Sequence, residues 1–216
     1  MDAARFRIDW ATDVGALAAV EPTADEVATH VAALARGYND PRNARLMGHD
    51  EPFEESEVAE HYRLVYEEGG RAFLLYRDGA LIGDADLRNV TTAGTSARPS
   101  PAPQAVGPRS AGDGAAEFAF MIAAPTEQGK GLGTKFAVLV HAFAFAQLGL
   151  RHVFASIVPE NVASRRVFDK LGYVVDASPA ARAFAENPSD VVMSIAREAF
   201  EREHRASLAA IRITKR

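Results

Sequence analysis

The chain has 216 residues, enough for one domain with a full hydrophobic core and only marginally enough for two. With 48% hydrophobic and 25% charged residues it resembles ordinary water-soluble globular proteins, and the lack of cysteine excludes disulfides, thiolate zinc sites and a cysteine nucleophile. The net charge of -5 argues against a duplex-binding protein, which neutralises phosphates with clustered Lys and Arg, and is compatible with a cationic or amine substrate.

Two helices are predicted in the first third of the chain. Apolar or small residues at helical spacing predict the first over residues 25–38, before the helix-breaking stretch "GYNDPRN". The second is predicted within residues 52–70, capped by Ser56 or begun just before it, and ended by Gly69 and Gly70.

A hairpin and a loop follow these helices. The turn dipeptide Asp78 and Gly79, between residues 73–76 and 81–87, predicts two antiparallel strands. Residues 91–116 differ in composition, because 21 of these 26 residues are Ala, Gly, Pro, Ser or Thr. Such a segment buries too little apolar surface to offset its ordering entropy, so a flexible loop inserted within the domain is predicted.

The second half of the chain alternates between strands and helices. The predicted elements cover residues 117–125 (strand), 134–150 (helix), 152–158 (strand), 161–173 (helix) and 190–196 (strand). This order implies at least one parallel strand pair with a right-handed crossover. The glycine-rich stretch "EQGKGLGTKF", residues 127–136, lies where the first of these strands hands over to a helix.

The glycine-rich stretch is predicted to hold a phosphate. A helix N-terminus offers unpaired N–H groups and a partial positive charge, and glycines allow the backbone to approach an anion. Lys130 and Lys135 would add positive charge nearby. A P-loop is excluded because the order Gly133, Thr134, Lys135 places the lysine after the hydroxyl residue, and a dinucleotide fingerprint would need a glycine at Thr134. The alternative is a turn whose glycines only permit tight packing.

Residues 128–133, "QGKGLG", fit the pattern Q/R-x-x-G-x-G/A, the acetyl-CoA pyrophosphate motif of the GNAT superfamily of N-acetyltransferases. With Pro125 and the block "PENVASRRVFDKLGY", residues 117–173 resemble this superfamily, and "YNDPRNARLMG", "LIGDADL" and "DVVMSIAREAF" are similar to the branch that contains the ribosomal-protein N-terminal acetyltransferases. The resemblance implies a single α/β (α+β) domain over residues 1–216, with a mixed, largely antiparallel sheet flanked by helices and splayed at the acyl-CoA site. It also implies transfer of an acetyl group to a primary amine by direct attack, with acetyl-CoA as cosubstrate and no metal.

The resemblance assigns cofactor contacts residue by residue. The pantetheine arm would bond to the backbone of Met121, Ile122 and Ala123. The pyrophosphate would be held by backbone N–H groups of the loop, which comprises Gln128, Gly129, Lys130, Gly131, Leu132, Gly133 and Thr134. The splay is expected between the strands that end near Ala123 and Val158. Asn161 resembles a family asparagine that contacts cofactor or substrate, and its alternative role is an N-cap.

Glu117 is the candidate general base, because the superfamily commonly uses an acid on this strand to deprotonate the amine, directly or through water. The alternative is an exposed glutamate at a strand start. A backbone N–H near Ala123 would stabilise the oxyanion. Many family members carry a tyrosine seven residues after the asparagine to protonate the leaving thiolate, but here that residue is Phe168. Ser164 is therefore the candidate for handling the thiolate or a bound water, and a helix-surface serine is its alternative.

Other polar residues are open to two interpretations. His141, within an apolar helix, and Tyr173 are expected in the core. Asp84 and Asp86 alternate along one strand, so they could line an amine pocket or simply be exposed. The extension at residues 198–216 could pack on a second subunit, as in a homodimer, or fray in solvent.

The acceptor is left open as a protein N-terminus, an aminoglycoside or a small amine. A different class is a non-catalytic acyl-CoA-binding sensor or interaction domain of the same fold, which Phe168 leaves open. The charged N-terminus has no apolar h-region and the longest apolar stretch, residues 136–150, is too short to span a bilayer. No nucleic-acid or membrane partner is therefore expected, and a cytoplasmic location is the default.

Overall fold

The computed structural model describes residues 4–49, 51–91 and 114–216. In these residues the strands are β1 Phe6–Thr12, β2 Gly15–Val20, β3 Arg71–Arg77, β4 Ala80–Thr91, β5 Ala115–Ile122, β6 His152–Ile157, β7 Val174–Val175, β8 Val191–Ala196 and β9 Arg212–Lys215. The helices are α1 Ala24–Tyr38, α2 Pro41–Met47, α3 Glu55–Glu67, α4 Leu132–Ala146, α5 Val162–Leu171, α6 Pro179–Arg182, α7 Arg197–Glu203 and α8 Arg205–Ala210. None of the helices in these ranges is both long and apolar enough to cross a membrane.

The strands form one sheet in the order β7-β8-β6-β5-β4-β3-β2-β1-β9. Every neighbouring pair is antiparallel except β5 and β6, which are parallel. Side chains that alternate along β3 pack on opposite faces, against α1 and α3 on one face and against α4 on the other. The predicted mixed, largely antiparallel sheet flanked by helices is therefore confirmed.

The parallel strands β5 and β6 stay paired for only three residues. Ala115 to Glu117 of β5 pair with His152 to Phe154 of β6, although β5 continues to Ile122 and β6 to Ile157. Beyond this point β5 keeps its pairing with β4 alone. The sheet is thus splayed where the sequence resemblance placed the splay.

Local sequence explains the helix boundaries near the site. In α1, Thr23 accepts a hydrogen bond from the Glu26 N–H while the Glu26 side chain accepts from the Thr23 N–H, which is a capping box. Helix α3 begins at Glu55, after Glu54, so Ser56 lies within the helix and does not cap it. Helix α5 ends at Gly172, which is left-handed with φ 89°, as the sequence predicts.

Two predicted segments differ from the structure. Residues 92–113 of the predicted inserted loop lie outside the described residues, and the two ends of the predicted segment are strand. Thr91 closes β4, and its hydroxyl accepts a hydrogen bond from the Ala115 N–H at 3.1 Å. The C-terminal extension does not fray, because β9 pairs with β1 of the same chain and the Arg216 guanidinium binds the Glu26 carboxylate at 2.7 Å.

His141 lies in the core, as the sequence predicts. It is fully buried among aromatic rings, its Nδ1–H donates to the Ala137 carbonyl at 2.7 Å, and the Tyr173 hydroxyl donates to its Nε2. Burial lowers the pKa of His141 to about 3. The ring therefore stays neutral in the folded protein and has no free nitrogen for catalysis.

This buried histidine makes the protein sensitive to acid. In the unfolded protein His141 becomes protonated as the pH falls below its ordinary pKa of 6.5. In the folded protein it stays neutral until the pH falls to about 3. A double substitution, His141→Phe with Tyr173→Phe, removes both hydrogen-bonding partners together. As the pH is lowered from 6.5 to about 3, the free energy of unfolding of the wild type should fall by about 1.4 kcal/mol per pH unit relative to that of the double variant. Urea unfolding at several pH values measures the difference, and a difference that does not change with pH would contradict the assignment.

Candidate active site

The glycine-rich loop connects the end of β5 to α4. A short 3-10 turn, Pro125–Glu127, precedes it, and Gly131 is the N-cap of α4. Gly129 and Gly131 have φ of 75° and 76°, and a Cβ on either would meet no atom within 4 Å. The left-handed backbone at these two positions favours glycine. Both positions face open space, so close packing is not the reason that glycine is found there. Gly133 differs, since a Cβ there would lie 3.0 Å from the Phe120 ring.

The first turn of α4 presents its N–H groups at this loop. Leu132, Gly133 and Thr134 form that turn, and the first N–H groups of a helix have no intrahelical acceptor. Lys130 pairs with Glu127 at 3.0 Å beside the loop. Lys135 instead binds Asp13 at 2.8 Å. The Lys135 ammonium group therefore pairs with an acid of the β1–β2 turn. The expectation that Lys135 adds charge at the loop is wrong.

Gln128 ties the loop to the rest of the site. Its Nε2 donates to the Ile122 carbonyl at 2.9 Å and to Asn43 Oδ1 at 2.8 Å. Asn43 in turn donates to the Gly37 carbonyl of α1 at 2.8 Å. The Gln128 side chain thus fixes the loop against the end of β5, near Ala123. Sequence reasoning used the stretch that contains Asn43 as a helix breaker and as part of the family resemblance, and it missed this contact.

A cavity of about 270 Å³ lies where β5 and β6 separate. The sequence-predicted residues that line it are Met121, Asn161, Ser164 and Phe168, together with Asp84 and Asp86 of β4. Its ionisable lining residues also include Glu57, His61, Arg88 and Glu186. Glu117 does not line it. The cavity therefore combines a mostly apolar wall with a group of carboxylates, the general form of a small-molecule site.

Asp84 is held by two tyrosines. It is 5% exposed, and its Oδ2 accepts hydrogen bonds from the hydroxyls of Tyr38 and Tyr62, each at 2.9 Å. In the described part of the chain its Oδ1 is buried without a hydrogen-bond partner. Burial raises the pKa of Asp84 to about 6. The interpretation of this residue as an exposed acid is wrong, and the pocket interpretation is supported.

Asp86 contacts an imidazole and a guanidinium. His61 Nε2 lies 2.9 Å from its Oδ2, and Arg88 Nε lies 3.1 Å from its Oδ1 without the alignment of a hydrogen bond. Burial alone would raise the pKa of Asp86, but the Arg88 charge and the His61 contact lower it below its ordinary value. Asp86 is therefore ionised near neutral pH.

Glu117 is buried beside this cluster. It is 3% exposed, which excludes the interpretation as an exposed strand-start glutamate. Arg88 Nη2 lies 3.3 Å from its Oε1, and Asn89 Nδ2 donates to its Oε2 at 2.9 Å. Burial raises the pKa of Glu117 to about 7, although the Arg88 charge opposes this rise.

A β-bulge brings Asn89 to Glu117. The β4–β5 pairing shifts between Arg88 and Thr91, and Asn89 has a positive φ of 54°. Consecutive residues of a regular strand point to opposite faces, so the bulge lets Arg88 and Asn89 both reach one carboxylate. Nothing in the local sequence distinguishes this bulge from continuous strand.

Asn161 caps α5, as its alternative interpretation predicts. Its Oδ1 accepts from the Ser164 N–H at 2.9 Å, and its Nδ2 donates to the Leu46 carbonyl at 2.8 Å. Ser164 is half-buried on the cavity wall. Phe168 is 2% exposed and packs edge-on against Phe118, so it forms part of the wall and offers no proton.

Solved structures share this fold. An aminoglycoside acetyltransferase, AAC(6')-Ib in complex with coenzyme A, superposes with a TM-score of 0.64 at 20% identity, covering 86% of this chain and 98% of that chain. Mycobacterium smegmatis RimJ in complex with CoA-disulfide gives 0.63 at 14% identity, covering 95% of each chain. Spermidine N-acetyltransferase from Vibrio cholerae, in complex with CoA and spermine, gives 0.58 at 19% identity, covering 85% of this chain and 97% of that chain.

Comparison of the sequence with family models identifies a family. No curated protein matches the chain. A family model described as an acetyltransferase (GNAT) domain matches residues 22–174, which include the splay, the glycine-rich loop and most of the cavity wall. Because this match covers more than half of the chain and agrees with the splayed sheet, the protein belongs to the GNAT acetyltransferase family.

Proposed function

We propose that the protein is an acetyl-CoA-dependent N-acetyltransferase that transfers an acetyl group to a primary amine. The observation that carries this proposal is the meeting of three features at one place: the splayed strands, the open glycine-rich loop, and the acid-lined cavity. Two of the solved structures with this fold are named as acetyltransferases in complex with CoA, and one of these also holds spermine, which supports the proposal.

The residues at the splay fit an acyl-CoA. Residues 121–123 lie at the end of the strand that has lost its β6 partner. The Ala123 N–H already donates to the Ile82 carbonyl at 2.8 Å, so the pantetheine arm would bond to the backbone groups of this segment that face the splay. The loop from Gln128 to Thr134 has the left-handed glycines and the helix N-terminus that a pyrophosphate needs. Asn161 is engaged as a cap, so any contact it makes with cofactor or substrate is secondary to that role. When bound, acetyl-CoA supplies the activated acetyl group.

The acids would prepare the amine. A primary amine arrives mostly as an ammonium ion, which buried carboxylates attract and which must lose a proton before it attacks. Glu117 is the proposed general base, because its pKa of about 7 suits proton transfer near neutral pH. Since Glu117 does not line the cavity, we propose that it receives the proton through an intervening water. Ser164, on the cavity wall, is the proposed partner of the leaving thiolate.

The cavity favours a cationic acceptor. Among the described residues, four carboxylates line it, against one guanidinium, that of Arg88, and the imidazole of His61. This charge suits an amino group of a protein N-terminus, an aminoglycoside or a small amine. A second candidate function is a non-catalytic acyl-CoA sensor, and the specific observation in its favour is Phe168, which leaves the usual proton donor missing.

An amine panel separates the two functions. The protein is incubated with acetyl-CoA and, one at a time, with aliphatic polyamines, aminoglycosides and peptides that carry free N-termini. An enzyme should release free CoA and an acetylated product in equal amounts with at least one class, as measured by thiol detection and mass spectrometry. Hydrolysis of acetyl-CoA by the protein in the absence of any amine gives the background rate, which is subtracted. Binding of acetyl-CoA without acceptor-dependent product across all classes would favour the sensor.

A further inference from the structure

His61 reaches both a buried acid and solvent, and unlike Arg88, which also contacts Asp86, its imidazole can gain and lose a proton near neutral pH. It lies on α3, lines the cavity, and its side chain is 38% exposed. Its Nε2 lies 2.9 Å from Asp86 Oδ2. Asp84 and Glu117 are only 5% and 3% exposed. His61 therefore links the buried Asp86 to solvent, beside the still less exposed Asp84 and Glu117.

The partner of His61 fixes its tautomer. An ionised carboxylate can only accept hydrogen bonds, so the neutral imidazole carries its proton on Nε2 and donates it to Asp86. The lone pair is then on Nδ1. Among the described residues Nδ1 of His61 has no hydrogen-bond partner. A histidine held in this way can take a proton on the free nitrogen while the carboxylate stabilises the imidazolium.

The reaction under "Proposed function" releases a proton that must leave. An ammonium ion loses two protons when it becomes an amide, and the departing thiolate takes up one of them as the C–S bond breaks. One proton per turnover is left for the protein to pass to solvent. A buried carboxylate can receive it, but acceptor and cofactor would block its exchange with bulk water through the cavity.

We propose that His61, held by Asp86, is the proton-relay residue of this active site: its Nδ1 accepts, through water, the proton that Glu117 has taken from the acceptor, and releases it to solvent. This inference rests on the proposed N-acetyltransferase activity. Burial alone would lower the pKa of His61, but the Asp86 contact raises it above its ordinary value, which favours uptake of the proton.

Chemical rescue tests the relay. His61→Ala should lower turnover by roughly 10-fold or more, the lower end of what acid–base groups contribute, and added imidazole should restore much of the loss by diffusing into the vacated space. His61→Gln keeps an N–H group that can reach Asp86 but cannot carry a proton, so it should stay slow and resist rescue. His30→Ala is the matched control, because His30 is a half-buried histidine on α1 that contacts the Tyr76 hydroxyl outside the cavity.

A second measurement needs neither acceptor nor acetyl-CoA. The pKa of His61 is read from its imidazole NMR signals in the wild type and in Asp86→Asn. The charged groups around the ring are Asp84, Asp86 and Arg88 on β4, with Glu57 one turn earlier on α3. The wild-type pKa should lie above the ordinary histidine value, and it should fall below that value in Asp86→Asn, because burial and the Arg88 charge, which lower the pKa, then outweigh the smaller opposite effect of Asp84.

Each outcome decides the proposal. Wild-type turnover in His61→Ala, or full turnover in His61→Gln, would overturn the relay, the latter because only the hydrogen bond to Asp86 would then matter. An unchanged His61 pKa in Asp86→Asn would overturn the dyad even if His61→Ala failed to fold. A wild type that acetylates no amine would defeat the proposed function and with it the relay, while a raised His61 pKa would still establish the dyad.

Discussion

Gly131→Val should weaken acetyl-CoA binding by roughly 10- to 100-fold, the loss expected from about one hydrogen bond to a charged group. Gly131 is left-handed with φ 76° at the N-cap of α4, a conformation that a β-branched residue adopts only with strain. The backbone should rotate to relieve that strain and turn the first N–H groups of α4 away from the pyrophosphate. Isothermal titration calorimetry with acetyl-CoA measures the change.

Gly69→Val is the control for strain alone. Gly69 also has a positive φ of 81°, and a Cβ there meets no atom within 4 Å, but it lies just after α3 and outside the loop. Both variants should lose a similar amount of stability, while only Gly131→Val should lose affinity. A folded Gly131→Val protein that binds acetyl-CoA as the wild type does would refute the assignment of the loop.

Glu117→Gln should lower turnover by roughly 10²-fold while acetyl-CoA affinity stays near that of the wild type. The substitution keeps the size of the side chain and removes its basicity. Because the pKa of Glu117 is raised to about 7, the wild-type carboxylate becomes available as the pH rises through 7, and wild-type turnover should rise with it. The deficit of the variant should shrink at still higher pH, where the amine loses its proton without help.

Glu21→Gln is the matched control for burying an amide. Glu21 is fully buried, and burial raises its pKa to about 7 as well, but its Oε2 accepts from the Phe6 N–H far along the sheet from the cavity. The turnover of the Glu21→Gln variant should therefore equal that of the wild type. If Glu117→Gln were as active as Glu21→Gln with a true acceptor, the general base would be another group, and Asp84→Asn would be the next variant to measure.

The sequence predicts those parts of the site best that depend on residues close together in the sequence. The left-handed glycines, the strand–loop–helix order and the N-cap at Asn161 are all local, so periodicity and turn chemistry locate them. The burial of Glu117 and Asp84 is not local. Tyr38 and Asp84 are 46 residues apart, and only the packing of α1 on β4 brings the hydroxyl to the carboxylate.

The missed strands have a similar cause. Strand β2, "GALAAV", consists mostly of small residues with weak strand preference, and its stability comes from pairing with β1 and β3. Strand β9 is four residues long and mostly polar, so no pattern of alternation predicts it. The proton-relay candidate was missed for the same reason, because His61 becomes notable only when α3 packs beside Asp86 of β4.

The pairing of β9 with β1 has a consequence for the order in which the chain is assembled. The hydroxyl of Thr214 donates to the carbonyl of Arg7 across 207 residues, so the outer edge of β1 finds its partner late in synthesis. Until then that edge offers a row of unpaired N–H and C=O groups, which is a template for pairing with another chain. Until β9 is synthesised, this free edge of β1 is therefore a place where the nascent chain can pair with another chain.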